Sequence, residues 1–310
     1  MRFVVLAGLA CLWIVAQPAR ADTYFLTVAG LGGEPDYEQS FRQLASELDR
    51  VLQGPEHHVY TLSGPGASRA DVTKTLRLIA GLAKPQDDFV LILIGHGSYD
   101  GFEYEFNLPG PDITGREIAA LCNRIAADRQ LIVNTTEASG ASIATLARRG
   151  RAVIAATKNG TEKNATVFAR YWVDALQDPT ADVDKNDAIS ALEAFDYATA
   201  KTAAFYESQK RLATEHAEFE DTVHGAPVRA ASTETGAGRF LSSLTLVRMG
   251  SARAAAANPA KRGLLARKEQ LEQRIDTLKY QRAAMSAADY KRQLTQVLVQ
   301  LAKVQEELDK

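Results

Sequence analysis

Between Thr23 and about Ala217 the apolar positions switch repeatedly between strand-like runs and helical spacing. Tyr24–Val28, His58–Leu62, Phe89–Ile94, Leu131–Val133 and Ala152–Ala156 are short apolar runs that predict strands. Tyr37–Leu52 carries Phe41, Leu44, Leu48 and Val51 on one helical face, and Val72–Leu82 carries Leu76, Ile79 and Leu82 in the same way. Further helices are predicted over Ile118–Ile125 and Ser142–Ala147, then over Val167–Leu176 and Ile189–Tyr206 around an acidic loop. The run Phe89–Ile94 has no polar position, as expected of a central parallel strand buried on both faces. The alternation predicts an α/β three-layer sandwich with a mainly parallel sheet over residues 22–221.

Beyond it the pattern changes twice. Residues 222–262 are rich in Ala, Ser, Thr and Gly and predict a linker, with one short strand at Phe240–Val247. Over residues 263–310, Leu264, Leu271, Ile275, Leu278 and Met285 recur at three, four and seven. After a break at Ser286–Asp289, Tyr290, Leu294, Val297, Leu301, Val304 and Leu308 do the same. This heptad seam predicts a helical hairpin, or a longer coiled coil through which the chain forms a homo-oligomer.

The amino terminus has its own signature. Arg2 precedes the apolar run Phe3–Val15, which is too short to span a bilayer, and Ala19-Arg20-Ala21 is a small-x-small cleavage site. Residues 1–21 therefore predict a signal peptide, with the mature protein periplasmic or secreted and without a membrane span. Cleavage removes Arg2 and Arg20 from 36 basic residues, leaving 34 against 38 acidic, a net charge of −4. It also removes Cys11, so Cys122 has no internal disulfide partner. A balanced to acidic chain of 24% charged residues argues against a nucleic-acid partner.

Two strand ends carry candidate chemistry. Leu91-Ile92-Leu93-Ile94-Gly95-His96-Gly97-Ser98 sets an imidazole between two glycines at the end of the most apolar strand, where sites form in open α/β sheets. Some 40 residues on, Leu131–Val133 leads into Asn134-Thr135-Thr136-Glu137-Ala138-Ser139-Gly140. A strand ending in His-Gly, then a strand ending in Ala-Cys-x-Ser-Gly, is the arrangement of the caspase, legumain and gingipain clan of cysteine peptidases. Residues Asp22 to Gly225 resemble that clan, and its bacterial legumain-like (C13-type) members most. The resemblance implies a caspase-like fold and a catalytic histidine at His96, with Gly97 beside the oxyanion.

It also exposes a departure. The cysteine position is assigned to Thr136, or to Thr135 if the register shifts by one, and no mature cysteine lies nearby. A hydroxyl is a far weaker nucleophile than a thiol unless strongly activated. The expectation is a pseudo-peptidase that binds a protein or peptide partner. The alternative is a hydrolase in which His96 activates the hydroxyl of Thr136 or Ser139.

The acidic loop has calcium spacing. Asp182, Asp184, Asn186, Ser190 and Glu193 fall at positions 1, 3, 5, 9 and 12 of an EF-hand loop, with Ile189 at the usual apolar position. Asp187 stands where the loop favours glycine. Calcium is the cofactor this spacing suggests; the same residues also suit a helix N-terminus, and both readings stand on sequence. His216 and His224, near acids, are weaker ligand candidates.

Overall fold

The computed structural model describes residues 21–222 and 226–310. The expected leader falls almost wholly outside the described residues, as does His224.

The chain runs β1 (Thr23–Ala29), α1 (Pro35–Val51), β2 (His57–Leu62), α2 (Arg69–Leu82) and β3 (Asp88–Ile94). A small antiparallel sheet follows, made of β4 (Gly97–Tyr99), β5 (Tyr104–Phe106) and β6 (Ile113–Thr114). Then come α3 (Gly115–Cys122), β7 (Arg129–Asn134), α4 (Ile143–Leu146), β8 (Arg151–Ala155), α5 (Phe168–Ala175), β9 (Ala188–Ser190), α6 (Ala191–Ser208) and β10 (Glu218–Glu220). The last elements are α7 (Arg239–Ser243), β11 (Thr245–Arg248), α8 (Gly250–Ala257), α9 (Arg262–Gln281) and α10 (Ala287–Leu308).

The main sheet has the order β10-β8-β7-β3-β1-β2. Its first five strands in chain order are parallel, and β10 pairs antiparallel with β8 at one edge. The unbroken apolar run of β3 is explained by its place near the centre. Val90, Ile92 and Ile94 enter the core that α1, α5 and α6 cover, whereas Phe89, Leu91 and Leu93 enter the core under α2, α3 and α4. Helices on both faces make three layers, as expected from the alternation.

Three segments differ from the sequence expectation. Helix α3 starts at Gly115 rather than Ile118, because Thr114 and Glu117 form a reciprocal capping box that fixes the first turn. The expected helix from Ile189 begins as β9, and α6 starts at Ala191 behind a second capping box of Ser190 and Glu193. The expected linker 222–262 is a packed part of the fold. Leu241, Leu244, Leu246 and Val247 join the core under α5 and α6, and β11 pairs antiparallel with β9. Small residues there reflect close packing rather than a spacer.

The C-terminal helices form an antiparallel hairpin. Lys261 reaches the carbonyl of Leu308, Arg267 reaches Gln300, and Arg274 reaches Gln293, so α9 ascends as α10 descends. Leu271, Leu278 and Val297 are the buried seam, with Ile275, Tyr290, Leu294, Leu301 and Val304 packed against it. The hairpin is also fastened to the rest of the chain. Arg248 grips Glu269 through two hydrogen bonds, Lys268 donates to the carbonyl of Asn186, and Tyr280 donates to that of Ala237.

Candidate functional site

Strands β3 and β7 are register neighbours, with Leu93 opposite Asn134, so their carboxyl ends bring His96 and residues 135–137 together. Two glycines make the approach possible. Gly95 has φ +152°, and a Cβ there would meet the Phe106 ring at 3.1 Å and Gly30 at 3.3 Å. A Cβ on Gly97 would lie 2.4 Å from Thr136 Oγ1 and 2.7 Å from the carbonyl of Glu137.

The partner of His96 is Glu137. Its Oε1 lies 2.8 Å from His96 Nδ1, and its Oε2 accepts from the Gly97 amide at 3.2 Å. The glutamate side chain is 8% exposed and the imidazole 28%. Tyr37 and Phe41 of α1 set their rings edge-on to the imidazole at 4.8 and 5.2 Å. The hydrogen bond to Glu137 raises the His96 pKa above its ordinary value against the opposing effect of burial. The Glu137 charge, a hydrogen bond with the Gly32 backbone and the Glu34 charge add to the rise. The pair thus favours the protonated imidazole more than a free histidine does.

The hydroxyls are engaged elsewhere. Thr136 is fully buried, and its Oγ1 lies 2.7 Å from the Tyr104 hydroxyl, 2.9 Å from Asn134 Oδ1 and 2.9 Å from the Glu137 carbonyl. Burial carries the Tyr104 hydroxyl well above its usual range, so it stays protonated beneath this network. Thr135 donates to the carbonyl of Leu93. Ser139, also fully buried, meets Thr157 Oγ1 at 3.1 Å and accepts from the Thr157 amide. None of these hydroxyls has a hydrogen bond to His96 among the described residues. Thr136 and Ser139 therefore line the base of the turn and do not face the imidazole as a dyad.

The residue that sequence reasoning missed was present in its own motif. Counting back from Ser139-Gly140, the Ala-Cys-x-Ser-Gly spacing falls on Glu137, one position beyond Thr136.

A second histidine–carboxylate pair adjoins the first. Glu162 binds His216 Nδ1 and the His216 amide, lies near Lys158, and gives its carbonyl to the amide of Ala138 at 2.8 Å. His216 thus serves to fix the loop behind Glu137. Glu215 ties the start of α5 by accepting from the amides of Val167 and Phe168.

The loop 182–193 brings three of its five candidate ligands together. Oxygens of Asp182, Asp184 and Glu193 all lie within 4.8 Å of one another. Asp187 adopts φ +65°, the conformation that position requires. Ser190 is occupied by its capping box with Glu193, and the Asn186 amide donates to Asp184. The helix-cap reading is therefore realised, and the carboxylates converge as well. Burial, with Glu193 and Asp182 close by, pushes the Asp184 carboxyl up to about 6, a repulsion that a bound cation would relieve.

The sequence matches no family model and no curated protein. Solved structures similar to it include the Drosophila initiator caspase Dronc, at 10% identity, with 67% of this chain and 82% of that one covered and a TM-score of 0.44. Caspase-1 from Spodoptera frugiperda is similar at 10% identity, 69% and 90% coverage and a TM-score of 0.45. A protein from Geobacter sulfurreducens is similar at 13% identity, 74% and 100% coverage and a TM-score of 0.44.

Proposed function

We propose that the chain is an exported pseudo-peptidase of the caspase and legumain type, which binds a protein or peptide partner and does not cleave it. One observation carries this reading: the position facing His96 holds a buried carboxylate instead of a thiol. A glutamate at that place holds the imidazole by a hydrogen bond and leaves no thiol there for it to activate. The hydroxyl-nucleophile alternative has less support, because Thr136 and Ser139 are spent on internal hydrogen bonds. The loop 182–193 would hold calcium as a structural ion through Asp182, Asp184 and Glu193, supported by their convergence.

The test is to put back what is missing. Glu137→Cys would place a thiol beside His96, and a thiol-directed electrophile is expected to label that variant and not the natural protein. Labelling should fall at least about tenfold when His96→Ala is added, because the thiolate fraction then drops. Covalent labelling of the natural protein at Thr136 or Ser139 by a serine-directed probe would overturn the reading.

A further inference from the structure

At the amino ends of the strands, opposite His96, a tight turn joins α4 to β8. Arg148 and Arg151 exchange backbone hydrogen bonds across it, and Gly150 closes it at φ +80°. Directly paired residues put their side chains on one face, and the Arg148 charge acts on the Arg151 guanidinium. Arg151 is only 2% exposed. Its Nη2 donates to Asn123 Oδ1, whereas its Nε and Nη1, like Nε of Arg148, are buried with no oxygen or nitrogen acceptor. No carboxylate forms an ion pair with either arginine among the described residues. The Cys122 thiol, which burial pushes up to about 11, lies within hydrogen-bonding influence of Arg151 and brings no charge to balance it. Buried cations are ordinarily paired, and unsatisfied buried donors mark the place of an absent water or ion.

We propose that Arg148 and Arg151 bind a small tetrahedral oxyanion, inorganic phosphate or sulfate, with exposed Arg149 beside Arg148 in the turn. Guanidinium forks match such an anion through paired N–H groups, and three of the unused donors lie on these two side chains. A divalent anion balances both charges at once. Chloride offers one charge and no fork geometry.

The experiment is thermal unfolding of the full protein at constant ionic strength, with chloride exchanged for phosphate or for sulfate. A saturating rise in melting temperature is expected, about 4 °C at about twenty times Kd. Arg148→Met should abolish the saturating part. If that variant does not fold, Arg149→Gln at the exposed rim serves instead and should weaken phosphate about three- to tenfold, read from 31P line broadening. A rise that is linear in anion and equal in the natural protein and the variant is general salting-out and overturns the proposal. So does phosphate whose line width is the same with and without the protein.

Discussion

Glu137 and His96 meet at 2.8 Å across the carboxyl ends of two neighbouring parallel strands, with the Gly97 amide held by the second oxygen of the same carboxylate. The consequences of this pair can be measured.

The first concerns pH. The folded-state pKa of His96 is raised, so the pair stabilises the fold fully below the unfolded imidazole value near 6.5. That contribution is lost as pH rises through the folded value. Glu137→Gln should destabilise the protein by about 1–2 kcal/mol at pH 6 in urea unfolding, and by less at pH 9. NMR titration of the His96 ring should show its pKa falling in the variant. A destabilisation that grows with pH would contradict the assignment.

The second concerns space. Gly97→Ala forces a methyl group against Thr136 Oγ1 and the Glu137 carbonyl. A loss of about 1–3 kcal/mol is expected, with the His96 resonance shifted as the turn moves. An unperturbed melting curve would mean that the strand ends are looser than their contacts imply.

Calcium provides the third. Millimolar calcium should raise the melting temperature by about 2–6 °C, and Asp184→Asn should remove the rise while leaving the Ser190–Glu193 cap intact. No heat on titration and no thermal shift would leave the loop as a helix cap alone.

The fourth concerns the hairpin. Leu278 is fully buried in the seam between α9 and α10. Leu278→Ala should cost about 2–5 kcal/mol locally. Hydrogen exchange should speed up in α9 and α10 while the amides of β3 remain protected.

What the sequence made legible follows from periodicity. β3 and the heptad seam are long and strongly patterned, and both are present as expected. The strands β4, β5 and β6 have three, three and two residues, too few for a repeat to show. β10 is equally short and owes its antiparallel place to β8 and to a bridge from Phe219 to Val228. The Ala- and Ser-rich stretch before α9 resembled a spacer because small residues carry little apolar signal, yet they let α8 and α9 approach closely. At the site, the histidine was legible from its glycines. Its partner was not, because a glutamate suggests a charge on the surface and only the tertiary fold buries it.

The pairing of β9 with β11 has a consequence for how the chain divides. It closes a ring: everything from α6 to α7 hangs between two strands that hold each other at the base. The acidic loop enters that base where the chain leaves it towards the helical hairpin, with Ala188 opposite Arg248 and Lys268 of α9 donating to the carbonyl of Asn186. A cut near residue 222, where composition suggests a seam, would sever the ring and strand β9 without its mate. A chain ending near Ala257 keeps both strands of the ring but loses the clasp of Glu269, Lys268 and Tyr280 upon it, whereas one ending near Thr222 loses the ring itself.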